Sequence, residues 1–153
     1  MDKSEDQSYD DFRLRKDEII RGHDSYYRII KDSNTVSADF LKAFVNVPGP
    51  DTDSVDFTKS PLFTHNVKVG FIIAKKKIRR ANFRNRIKRL LKESYRLNRN
   101  SSGLLSLKLN ILFTLNDRGY VYFNQNHGTK LEFVDSDMKK LLGNIKNKFK
   151  ITE

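Results

Sequence analysis

One segment, positions 68–99, constrains this chain more than any other: thirteen Lys or Arg stand there against a single acid, Glu93. Its second half, ANFRNRIKRLLKESYRLN, carries Phe83, Ile87, Leu90, Leu91 and Ser94 at helical intervals, which predicts a helix over 80–98 with one apolar face. Such a helix has few options. Its apolar stripe must be covered by another element, and its remaining circumference, crowded with like charge, must face water or a polyanion. Arg84, Asn85, Arg86, Lys88, Arg89, Lys92 and Arg96 fall mainly on that circumference, and Lys75, Lys76, Lys77 and Arg80 lead into it. The segment carries +12, whereas positions 1–67 carry −4 and 100–153 carry +3, so the net charge of +11 belongs to one stretch. Clustered Lys and Arg neutralise phosphates and release counterions, which favours nucleic acid over an anionic membrane surface or an acidic protein.

With 153 residues, eleven Phe and six Tyr, the chain can build one domain with a real core. Positions 1–12, acidic and polar, are expected to be a disordered tail without the layout of a signal peptide, and 13–150 a single domain. Tyr26, Ile29 and Ile30 predict a helix over 24–31, and Asp32, Ser33 and Asn34 a turn. Positions 38–47 form a strand ended by Pro48-Gly49-Pro50, and a long polar loop fills 48–66. The run VKVGFIIA at 67–74 is the clearest strand, with Gly70 marking a bulge or close packing. A third strand spans 105–115, with Leu107, Leu109, Ile111 and Phe113 on one side. A turn follows, and the aromatic run 120–123 adds a hairpin arm within 116–130. A last helix, 137–149, is capped by Asp135 or Ser136. Two long helices with one apolar face each imply an α+β domain, helices packed on a small sheet.

Catalytic chemistry is sparse. Cys is absent, which excludes disulfides and thiolate sites. His23, His65 and His127 are scattered without metal-ligand spacing. The pairs Asp51/Asp53 and Asp135/Asp137 could hold Mg²⁺, but acids in such settings are more often turn and cap residues. No Gly-rich phosphate loop, nucleophile elbow or long apolar span occurs. Binding chemistry is better supplied: Arg offers planar forks for phosphate, and Asn85 offers both donor and acceptor to a base edge or sugar hydroxyl.

From Val69 to Asn98 the chain reads VGFIIAKKKIRRANFRNRIKRLLKESYRLN, and here it resembles the bacterial ribonuclease P protein component. That family has a strand ending in a small residue and lysines, then a helix bearing Arg-Asn-Arg followed by Lys-Arg. The stretch IIRGHDSYYRIIKDSNTV resembles the family's first helix. The chain departs from the commonest pattern by one extra residue between Gly70 and Arg84, by Ser33 or Asn34 at the usual glycine, and by its longer 48–66 loop. The resemblance implies a small four-stranded sheet packed with about three helices and a left-handed βαβ crossover. It implies a non-catalytic protein subunit of an endoribonuclease whose RNA subunit, with Mg²⁺, removes the 5′ leader of precursor tRNA. The protein itself would need no cofactor, and no membrane or protein partner is expected; the compartment would be the cytoplasm. By motif position Arg84, Asn85, Arg86, Lys88 and Arg89 would contact the ribonuclease P RNA. Lys75, Lys76, Lys77, Arg80, Lys92 and Arg96 would extend that surface. Tyr26, Ile30 and Phe44 would line the cleft that holds the leader. The alternative is another RNA-binding protein, a ribosomal protein or RNA chaperone, which predicts no leader discrimination.

Overall fold

A computed structural model describes residues 14–48, 67–104 and 107–149. The expected acidic tail and nearly all of the 48–66 loop, with Asp51, Asp53 and His65, therefore lie outside the described residues. A 3-10 turn, Lys16–Glu18, precedes helix α1, His23–Lys31. Strands β1, Asn34–Ser37, and β2, Leu41–Asn46, form a hairpin. Strand β3, Val67–Phe71, leads through the basic turn into α2, Ala81–Asn98, and then β4, Leu109–Leu115. Helices α3, Asp117–Gln125, and α4, Leu131–Phe149, complete the order.

The sheet order is β1-β2-β4-β3, antiparallel except for the parallel β3–β4 pair joined by α2. The domain is thus α+β with the four strands expected. Period-two alternation sends Leu41, Ala43 and Val45 of β2, and Leu109, Ile111, Phe113 and Leu115 of β4, into the main core under α2 and α4. Ile87, Leu91 and Tyr95 of α2 meet Val134, Met138, Leu141 and Ile145 of α4 there. The opposite sheet face is covered by α1 through a smaller cluster of Ile20, Ile29 and Leu112, with Tyr26, Phe44 and Ile72 packed against it. Gly70 lies on this face. A Cβ there would sit 2.6 Å from Leu112 Cδ2 and 3.1 Å from Tyr26 Cε1, so close packing, not a bulge, explains the glycine.

Several sequence expectations are corrected. The strand expected over 38–47 is β2, shortened to 41–46, and it pairs with an unexpected strand β1, which Asn34 opens instead of closing a turn. The third strand begins at Leu109, and ahead of it Leu107 N–H donates to Leu104 O at 2.9 Å. The arm expected over 116–130 is helical, which raises the helices from about three to four. Asn116 caps α3 by accepting from Gly119 N–H at 2.8 Å, and Gly119, Tyr120 and Phe123 recur at helical spacing on its buried side. The last helix begins six residues early, because Val134 extends its apolar period toward the N-terminus. Asp135 and Ser136 are consequently interior positions, not caps. Asp137, 4 % exposed, turns its carboxylate onto the β1–β2 turn and accepts from the amides of Asp39, Phe40 and Leu41 at 3.1, 3.0 and 2.8 Å.

Candidate nucleic-acid interface

Helix α2 buries Ile87, Leu91, Ser94, Tyr95 and Asn98. That leaves Asn85, Arg89, Lys92 and Arg96, at i, i+4, i+7 and i+11, as one outward stripe. Lys88 flanks it, half-buried. Asn85, Lys88, Arg89 and Lys92 have no side-chain hydrogen bond or ion pair with another described residue, so their polar groups are available to a ligand. Arg96 differs: its guanidinium grips Glu93 with Nε at 3.1 Å and Nη2 at 2.5 Å. That hydrogen bond raises the Arg96 pKa and lowers that of Glu93. The acid thus tempers one end of the stripe.

Residues 75–77 form a tight turn after β3, closed by Ile78 N–H on Ala74 O at 3.0 Å and anchored by the buried Ile78 side chain. Lys75 and Lys76 project outward, whereas Lys77 points back to α3. Its Nζ lies 2.9 Å from Asp117 Oδ1 and 5.0 Å from the centre of the Tyr120 ring. Hydrogen bonding to Asp117 raises the Lys77 pKa and lowers that of Asp117. The turn is tied to α3 twice more, by Asn124 Nδ2 on Lys77 O at 3.0 Å and Ala74 N–H on Tyr120 Oη at 3.0 Å. Arg80, the exposed N-cap residue of α2, makes no side-chain cap.

Arg84 is half-buried and Arg86 exposed, and both guanidinium groups hold backbone carbonyls. Arg84 Nη1 donates to Ile78 O and Arg79 O at 2.8 and 2.7 Å. Arg86 donates from Nη1 to His127 O at 2.8 Å and from Nη2 to Thr129 O at 3.0 Å. Arg99 is 6 % exposed and forms a buried ion pair with Glu18, packing the amino-terminal turn against the end of α2. At least five of the segment's thirteen cations, residues 77, 84, 86, 96 and 99, therefore have internal partners, and the surface free to take phosphate is narrower than the sequence alone suggests. The partners of Arg84 and Arg96 are local, at positions 78, 79 and 93, but those of Lys77, Arg86 and Arg99 come from elements distant in sequence, which spacing within one helix does not reveal.

The α1 side of the sheet carries the second expected group. Even-numbered positions of β2 face α1, which puts Phe44 beside Tyr26 and Ile72, with Lys42 Nζ 4.9 Å from the Phe44 ring centre. Tyr26 is half-buried, its hydroxyl donating to Ile20 O at 3.0 Å. Ile30 is 39 % exposed, and Tyr27, which sequence reasoning passed over, is 69 % exposed one residue beyond Tyr26. Adjacent tyrosines point to different sides of a helix, and only the packing shows which one reaches the core.

Among the described residues no group of three or more His, Asp or Glu converges as a metal site, and no helix is long and apolar enough to cross a membrane. His127 is an exposed residue whose ring meets the edge of Phe83 at 4.8 Å. A four-stranded α+β domain with a cationic helix stripe and an aromatic cluster, Tyr26 and Phe44, on the other sheet face has the chemistry of a polyanion-binding module. The chain belongs to the ribonuclease P protein family, whose model, described as Ribonuclease P, matches residues 14–144. It is 58 % identical over 40 residues to the ribonuclease P protein component of Acinetobacter baylyi, a match spanning 26 % of this chain and 30 % of that relative. Its fold is similar to the ribonuclease P protein of Staphylococcus aureus, with TM-score 0.59 and 15 % identity, covering 84 % of this chain and 95 % of that one. The Thermotoga maritima protein gives TM-score 0.59 and 17 % identity over 86 % and 96 % of the two chains. At these identities the two structures support the fold alone.

Proposed function

We propose that this protein is the non-catalytic subunit of a ribonuclease P ribonucleoprotein, binding the catalytic RNA through α2 and the turn before it. The observation that carries the reading is the stripe of unengaged polar and cationic groups, Asn85, Arg89 and Lys92, flanked by Lys88 and continued by Lys75, Lys76 and Arg80. Lys and Arg along this stripe neutralise crowded RNA phosphates and release counterions, which lowers the Mg²⁺ needed to hold the RNA in its folded state. Asn85, in the midst of these cations, supplies donor and acceptor groups for a base edge or 2′-hydroxyl. The Mg²⁺ that serves the reaction belongs to the RNA; this chain orients the substrate.

The surface where α1 meets the sheet takes the 5′ leader of precursor tRNA. Phe44 and Ile30 offer apolar surface to unpaired bases, Lys42 offers charge to the backbone, and Tyr26 forms the wall. Contacts to the leader are lost when it is cleaved, so they favour precursor over product. The setting is the cytoplasm, where tRNA precursors are made. Reconstitution tests the reading: the protein, mixed with a bacterial ribonuclease P RNA at low Mg²⁺, restores 5′ processing of a precursor tRNA and binds precursor more tightly than mature tRNA. RNA binding with no gain in processing and no preference for precursor would favour a general RNA chaperone instead.

A further inference from the structure

Two arginines of the Arg-Asn-Arg motif sit where a phosphate ligand should not be tied down. Arg84 lies in the first turn of α2, where the helix dipole disfavours positive charge. Its placement there is offset by two acceptors outside the helix, the carbonyls of Ile78 and Arg79, which are both within 2.8 Å of Nη1. These are the residues through which the chain passes from the lysine turn into the helix. The N-cap Arg80 supplies no side-chain cap, so the Arg84 guanidinium is the side-chain group closing this junction from within α2. Arg86 performs the same operation on the other flank. Its fork spans the carbonyls of His127 and Thr129, in the connector between α3 and α4. Thr129 is buried, and the His127 ring packs on Phe83 of the same helix. The planar guanidinium can donate along two directions at once, which a lysine ammonium on a flexible stem does not reproduce with the same geometry.

We propose that Arg84 and Arg86 are positioning residues: carbonyl clamps that hold the 78–80 junction and the 126–130 connector against α2, and so set how Lys75, Lys76, Arg80 and Asn85 are presented to RNA. The assignment rests on the RNA-binding reading above but distributes the motif differently. Asn85, between the clamps, faces the ligand, while the guanidinium groups of its two neighbours donate to backbone carbonyls. Both arginines still add to the positive field, yet Nη1 of Arg84 and both terminal nitrogens of Arg86 are committed internally.

Charge-preserving substitutions separate the two roles. Arg84→Lys and Arg86→Lys are compared with Arg84→Ala and Arg86→Ala in the full chain. Amide hydrogen exchange is read at 78–80 and 126–130 without RNA, and binding to a bacterial ribonuclease P RNA is titrated against salt. The clamps predict exchange at least about tenfold faster in the matching segment for both Lys and Ala variants. They also predict that Lys recovers no more than about twofold of the affinity lost in Ala, with the Lys salt slope unchanged from wild type. Wild-type affinity in the Lys variants, or unaltered exchange in either segment, overturns the inference. The exchange arm needs no RNA, so failure of the wild-type protein to bind that RNA would count against the proposed function and leave the clamp result standing by itself.

Discussion

Replacing Arg89 and Lys92 together by Ala removes two cations from the outward stripe of α2 without removing a hydrogen bond or ion pair to any described residue. If each neutralises one phosphate, each contributes about 0.9 to the slope of log affinity against log salt, so the double variant is shallower by about 1.8. Between 1 M and 0.1 M salt that slope is worth about 0.9 decade per contact, which makes the loss about sixty-fold at 0.1 M. Stability should move by less than about 0.5 kcal/mol, as for exposed substitutions away from packed features. Fluorescence anisotropy of a labelled ribonuclease P RNA across a salt series reads the slope, and a thermal melt reads stability. The companion variant Lys140→Ala with Lys148→Ala makes the same change in net charge on α4 beside the β1 hairpin, where these lysines reach Asp39 and Thr35. An equal flattening in the companion would mean that net charge, not the stripe, governs binding. A fall in melting temperature with an unchanged slope would mean the stripe is structural.

Gly70→Ala sets a methyl 2.6 Å from Leu112 Cδ2 and 3.1 Å from Tyr26 Cε1, so it should cost about 1–3 kcal/mol by overpacking and weaken precursor preference as Tyr26 shifts; an unchanged urea midpoint would refute this. Gly119→Ala meets backbone, Phe40 O at 2.1 Å, which cannot swing aside as a side chain can, and should destabilise more than Gly70→Ala in the same assay. Asp137→Asn trades an anion that accepts three amide hydrogen bonds for a group with one acceptor oxygen, and should lower unfolding free energy by about 2–4 kcal/mol in urea. Acid should weaken the surface pairs Asp39–Lys140 and Asp117–Lys77. Hydrogen bonding to lysine depresses both carboxylates, so their contribution is full above the unfolded-state value and lost as pH falls through the folded one, below about pH 4. The acid-induced change in melting temperature should therefore be smaller in Asp39→Asn and Asp117→Asn than in the wild type.

Much of the fold was legible because it is written in local periods. The apolar stripe of α2 and the alternation of β3 and β4 survive in the structure, since a buried face imposes its repeat on the sequence that covers it. Helix α3 was misjudged for a related reason. Its aromatic run suits a strand as well as a helix, and the decision was made by Asn116, whose side chain caps α3 and also donates to Ala38 O and Asp39 O, both at 3.1 Å. Nothing local to 116–125 announces that the β1–β2 turn will lie there. Asp137 is similar: it has the look of a cap residue and serves as the anchor for amides 96 to 98 positions away.

By itself the sequence determined that one segment carries the charge, that a single helix there must cover a core with one face and offer the rest to a polyanion, and that the chain resembles a ribonuclease P protein. Only the tertiary structure decided which cations remain available. Lys77, Arg84, Arg86, Arg96 and Arg99 look alike along the chain, yet each meets a carboxylate or carbonyl within the protein, whereas Arg89 and Lys92 meet none among the described residues. The physical reason is reach. Helical periodicity specifies the direction of a side chain, but whether its charge is free depends on what the rest of the fold brings within about 3 Å of its tip.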